Sequence, residues 1–185
     1  VHLVAHSMGG LVVRAMIADG GRGAAVWRRI IALPRSRLMM LGTPNLGSYE
    51  GVRWLTGRNP TQTRLSLLDV SGSSDGIVDL VRNYPGLVEL LPFDADSPDF
   101  SRQAVWNDLK QALAARWNPA EEAVLRQAQA TWSLLRQAAP DPEHMISIAG
   151  CQRTTVAGYQ LADYEESHLA GRKRLTFTGV HQGDG

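Results

Sequence analysis

Val1-His2-Leu3-Val4-Ala5-His6-Ser7-Met8-Gly9-Gly10-Leu11-Val12-Val13-Arg14 runs an apolar strand into a serine flanked by small residues and then into an apolar helix. That is the sequence form of a nucleophile elbow. The strand-to-helix turn is so tight that the serine takes a strained backbone conformation, and the residues two before and two after it must be small. Ala5 and Gly9 meet that demand, although the consensus G-x-S-x-G reads Ala5-His6-Ser7-Met8-Gly9 here. Gly10 is expected to let the new helix pack closely against its strand. The strain has a chemical use: it holds Ser7 Oγ out at the carboxyl end of the strand and aims the Met8 N–H at the place where a tetrahedral intermediate carries its oxyanion. The plainer alternative is an ordinary β-α turn of a doubly wound protein, with Ser7 as a helix N-cap. Neither phosphate-loop pattern, G-x-G-x-x-G or G-x-x-x-x-G-K-[ST], is present.

Outward from the elbow, Leu38-Met39-Met40-Leu41 reads as a buried strand ended by Gly42-Thr43-Pro44. Ligands of open α/β sheets bind at that end of the strands. The loop from Thr43 to Tyr49 is thus expected beside Ser7, either shaping an acyl pocket or merely ending the strand. From about residue 57 to 142 the pattern turns to Ser/Gly/Asp-rich loops and amphipathic helices. Val105, Leu109 and Leu113 mark one apolar helix face. A second helix is expected with Asn118 as N-cap, Pro119 at its first position, Glu121 and Glu122 in its first turn, and Val124, Ala128, Trp132 and Leu135 as its stripe. A helical cap between core strands would cover a serine and wall an acyl chain. Met145–Gly150 then reads as the next sheet strand, followed by strands over 154–158 and 175–179 that lead to Gly183-Asp184-Gly185.

These residues carry a resemblance. The elbow, the stretch Gly42-Thr43-Pro44-Asn45-Leu46-Gly47-Ser48, the stretch Pro85-Gly86-Leu87-Val88-Glu89-Leu90-Leu91-Pro92 and the final Gly183-Asp184-Gly185 together resemble α/β-hydrolase fold lipases, in particular the lecithin:cholesterol acyltransferase-like group. The resemblance implies a mostly parallel sheet flanked by helices, with a helical cap at about 57–142. It also implies Asp184 as the triad acid, accepting from a histidine Nδ1–H and steadying the imidazolium that forms when Ser7 loses its proton. In this fold the order is Ser, then Asp or Glu, then His. None of His2, His6, His144, His168 or His181 has that order, so the base is expected beyond Gly185. His6 is expected to be a packed neighbour of the strand. The whole is read as a partial catalytic domain, 1–185, of a domain of about 250 to 300 residues, lacking early strands and a C-terminal end. A chain starting at a central strand is expected to expose an apolar edge.

Composition narrows the rest. At 185 residues and 44% hydrophobic content the chain can bury a sizeable core. A net charge of +1, with basic residues that look scattered, gives no reason to expect nucleic acid. No apolar run approaches the ~20 residues of a membrane span. The single cysteine, Cys151, excludes an internal disulfide, and no metal-ligand spacing occurs, so no cofactor and no metal are expected. The activity expected is that of a serine esterase or lipase acting on a carboxylic, lipid-like ester through an acyl-enzyme on Ser7. Transfer of the acyl group to an alcohol and a non-catalytic binding module stay open. Acyl length, head group, compartment and oligomeric state are not encoded in these motifs.

Overall fold

In the computed structural model, residues 1–68, 74–138, 141–150, 154–164 and 171–180 are described. The apolar segment before Ser7 forms β1 (His2–His6) and the one after it α1 (Met8–Ala18). Asp19 ends α1, donating its N–H to Ala15 O, and Gly20 at φ 69° supplies the left-handed residue that stops a helix. After α2 (Arg22–Ile31) comes β2 (Arg37–Leu41). These belong with β3 (Met145–Ile148) to a three-stranded sheet of order β1-β2-β3, parallel throughout. The chain is therefore of mixed α and β class, with a small parallel sheet.

Pairing of Leu3 with Leu38 and Met145, and of Ala5 with Met40 and Ser147, places those residues on one face. Ala5, Leu38 and Met40 are buried there with Trp27, packed against Val13 and Ile17 of α1 and Ile30 and Ile31 of α2. The opposite face is open: Val4 is 63% exposed, Ile146 42% and Ile148 47%. His6, on that open side, is exposed and not the packed neighbour expected from its strand position.

Among the described residues six helices follow β2. They are α3 (Tyr49–Leu55), α4 (Pro60–Leu68), α5 (Ser74–Val81), α6 (Pro85–Glu89), α7 (Gln103–Ala112) and α8 (Glu122–Gln137). Trp106, Trp117, Leu109, Leu113 and Leu125 are buried among them. The start of α8 differs from expectation. Its first residue is Glu122, and Asn118 is spent elsewhere: its N–H donates to Asp79 Oδ1 at 2.8 Å and its Oδ1 accepts from Lys110 Nζ at 3.3 Å. The helix entry is held instead by Asn83, whose Oδ1 accepts the Glu121 N–H at 2.9 Å. Leu125, at the three-residue spacing before Ala128, stands in the buried stripe in place of Val124, with Ala128, Trp132 and Leu135.

The last two strands, β4 (Thr155–Asp163) and β5 (Lys173–Val180), pair with each other in a separate two-stranded sheet. The expectation that the strand before Asp184 extends the sheet of β1 is thus corrected. The chain divides into two compact units. Among the described residues one contains Val1–Asn45 and Ala130–Thr155, and the other Leu46–Gln129 and Val156–Val180. Helix α8 contributes to both. No helix among the described residues is long and apolar enough to cross a membrane.

Candidate active site

Ser7 has φ 51° and ψ −130°, one of three non-glycine residues with positive φ among the described residues. This is neither the β-region backbone of an N-cap nor a left-handed helical residue. It is the mirror image of the polyproline region, which L-residues rarely enter. Two hydrogen bonds hold it: Ser7 N–H donates to Leu41 O of β2 at 2.8 Å, and Gly10 N–H donates to Ser7 O at 3.1 Å. Ser7 is exposed, and its side chain makes no capping hydrogen bond to α1. An N-cap serine accepts from an amide two or three residues on. Ser7 does not, so the hydroxyl stands free of the structural duty that the plainer alternative gave it.

Met8 opens α1, and the first amides of a helix have no acceptor within it. Its N–H therefore lies at the positive end of an eleven-residue helix, where an anion is favoured. The small residues around the elbow have unequal duties. A Cβ on Gly9 would lie 3.9 Å from the Ala5 methyl, an ordinary contact. A Cβ on Gly10 would stand 2.8 Å from Thr43 Cβ and closer still to Thr43 Oγ1 and Cγ2. Gly10 thus admits the loop after β2 rather than the elbow strand itself. Gly42 continues that loop at φ 55°, donating its N–H to Ile148 O at 2.9 Å.

Arg14 fixes the same loop. Its Nη1 donates to Asn45 O at 3.1 Å and to Asn45 Oδ1 at 3.0 Å, and its Nη2 donates to Leu135 O at 2.9 Å. Burial lowers the Arg14 pKa from its ordinary value. Residues 43–45 are in this way secured beside the first two turns of α1. Asn45 was not singled out by sequence, because a lone asparagine in a Pro/Gly loop carries no pattern.

The second half of the same stretch joins the Pro85–Pro92 stretch within the other unit. Ser48 N–H donates to Leu90 O at 2.7 Å and Phe93 N–H to Leu46 O at 3.0 Å. Gly47 at φ 87° presses its Cα on this segment, where a Cβ would be 2.7 Å from Pro92 Cα. Ser48 then N-caps α3, accepting from Glu50 N–H at 3.2 Å.

Asp184, His168, His181 and Cys151 lie outside the described residues. Of the described histidines, His2 and His6 are exposed in β1. His144 pairs its Nδ1 with Asp141 at 2.9 Å, an Asp–His pair that the sequence reading passed over despite its i,i+3 spacing. It stands at the wrong end of the sheet to serve Ser7. His144 O accepts from Leu38 N–H, Leu38 is in register with Leu3, and Ser7 is four residues further on. At about 3.3 Å per residue that is about 13 Å along the strands. No group of three or more potential metal ligands occurs among the described residues. Compared with known protein families, with curated proteins and with solved structures, the chain matches none.

Proposed function

We propose that the chain bears the nucleophile of a serine hydrolase with the α/β-hydrolase fold, cleaving a carboxylic and lipid-like ester. One observation carries the reading: Ser7 is exposed at φ 51° directly after a parallel strand, with no capping bond to its side chain. Backbone strain of this order costs about 1 to 3 kcal/mol and persists at sites whose surroundings enforce it. In the proposed reaction Ser7 Oγ attacks the ester carbonyl while a histidine, held in tautomer by the Asp184 carboxylate, takes its proton. The Met8 N–H donates to the oxyanion. Collapse expels the alcohol, protonated by that histidine, and leaves an acyl-enzyme. Water then releases the acid; an acceptor alcohol in its place would make the protein an acyltransferase. The helices of 57–142 act in this reading as a cap over the acyl chain, and no cofactor is needed. The rival is a non-catalytic module of the same fold.

A fluorophosphonate probe tests the proposal. The expected result is a single adduct on the protein by intact mass, lost in Ser7→Ala and formed more slowly in Asp184→Asn. A well-folded protein that forms no adduct would overturn the catalytic reading in favour of the binding module.

A further inference from the structure

Between Asp19 and Glu50 the chain has no acidic residue, and it has five arginines: Arg22, Arg28, Arg29, Arg35 and Arg37. They look scattered in sequence, but α2 gathers them. Trp27 is 5% exposed and, with Ile30 and Ile31, anchors one side of the helix in the core of its unit. The outward side carries Arg22, Val26, Arg29 and Leu33 at spacings of four, three and four, one stripe of a helix prolonged by the turn at its end. Arg28, Ala32 and Arg35 flank it, all exposed. Val26 is 47% exposed and Leu33 46%. Arg22, Arg28, Arg29 and Arg35 have no carboxylate within ion-pair distance among the described residues.

Helix stability explains half of this pattern. Arg28 and Arg29 in the last turn complement the negative end of the helix. Arg22 does the reverse, placing a cation in a first turn that has no acidic residue and no side-chain cap. A solvated face accounts for arginines but not for Val26 and Leu33 set between them. Cations interleaved with exposed aliphatic side chains on a helix whose other side is anchored match a headgroup boundary, where guanidiniums meet phosphates and aliphatic groups enter the acyl margin. A nucleic acid would gain nothing from Val26 and Leu33, and the one aromatic side chain among these arginines, Trp27, is buried in the core and cannot stack on a base.

From this arrangement we infer that the outward face of α2, with Arg22, Val26, Arg28, Arg29, Leu33 and Arg35, is a docking surface for an anionic phospholipid bilayer. The helix lies on the headgroups and does not span. This holds whether or not Ser7 is catalytic, since Ser7 is not part of the surface.

Sedimentation with vesicles tests it, using the protein at low ionic strength with phosphatidylcholine vesicles that contain or lack phosphatidylglycerol. Binding is expected only to the anionic vesicles, weakening as salt shortens the screening length. With each arginine worth about fivefold at such a surface, Arg22→Gln combined with Arg29→Gln is expected to weaken partitioning roughly twenty-five-fold. Val26→Ser should weaken it further, and Ser7→Ala should leave it unchanged. All these residues are exposed, so unchanged urea midpoints check that the variants fold. Absence of binding to anionic vesicles overturns the inference, as does binding that survives the double substitution. So does tighter binding to a DNA duplex that the same substitutions abolish.

Discussion

Thr43 packs its side chain directly on the Cα of Gly10, so that the loop after β2 and the first turn of α1 share one van der Waals surface. Thr43 Oγ1 is buried there without a hydrogen-bond partner. A Cβ on Gly10 has nowhere to go unless Thr43 yields. Gly10→Ala is therefore expected to destabilise by about 1 to 3 kcal/mol, despite the better helix propensity of alanine. Thr43→Ala removes the two atoms nearest the clash and gives up no hydrogen bond. Thr43 Cβ still stands 2.8 Å from the new methyl, so in urea denaturation the double variant should recover part of the loss, and strictly additive effects would show that Gly10 and Thr43 do not share this contact.

Arg14 holds the same loop from the other side, and its fork is what matters. One guanidinium nitrogen serves Asn45 while the other serves Leu135 O. A lysine is a point donor and cannot reach both at once. Arg14→Lys is expected to cost about 1.5 to 3 kcal/mol, the range for a hydrogen bond to a charged group, with Arg14→Ala at least as costly. Hydrogen exchange of peptides covering 42–48 should quicken in both variants. Exchange at the parental rate in Arg14→Lys would show that charge alone suffices.

Much of this was legible before the structure, for identifiable reasons. The strained turn at Ser7 was readable because such a turn constrains three of five positions, Ala5, Ser7 and Gly9, and the strands at Leu38–Leu41 and Met145–Ile148 because fully apolar or alternating runs leave few alternatives. The entry to α8 was misread because Asn118 and Pro119 satisfy a local rule that tertiary partners override: Asn83 takes the Glu121 amide that the cap would have used, while Asp79 and Lys110 engage Asn118 itself. The separate pairing of β4 with β5 was illegible for a different reason. Alternation fixes which side chains share a face, but not which strand is the neighbour. The arginines of α2 escaped notice because a count along the chain ignores helical phase. Arg22 and Arg29 are seven residues apart in sequence yet two turns apart on one line.

Tyr159 gives a pH test. Burial chiefly, and the neighbouring Tyr49 secondarily, push its pKa above the ordinary tyrosine value. Its ring packs against Tyr49, with centroids 6.4 Å apart, and Phe100 at 6.5 Å. A raised pKa means that the folded protein binds the phenolic proton more tightly than the unfolded chain does. The associated stability is complete below the unfolded value of about 10 and is lost as pH rises from there through the folded value. Tyr159→Phe should thus lose less stability than the parent between neutral pH and pH above 10. The difference between the two urea midpoints, followed against pH, should be flat below about 9 and move in favour of the phenylalanine variant above it. A difference that stays flat throughout would mean that Tyr159 titrates alike in both states.

The strain at Ser7 predicts an exchange of stability against reactivity. At φ 51° and ψ −130° the residue sits in the mirror of the polyproline region, which costs an L-residue free energy but which glycine populates as readily as its counterpart. Since the Ser7 side chain makes no capping hydrogen bond, its removal forfeits no cap. Ser7→Gly is therefore expected to raise the unfolding free energy by about 1 kcal/mol, the strain relieved being partly offset by the greater freedom of glycine in the unfolded chain. Ser7→Ala keeps the Cβ and so keeps the strain; its stability should match the parent within about 0.5 kcal/mol. Both variants should fail to take a fluorophosphonate, so the pair separates the conformational cost of the elbow from the chemistry of its hydroxyl. A glycine variant less stable than the alanine one would mean that the turn is relaxed, and with that the physical argument for an activated serine would fall.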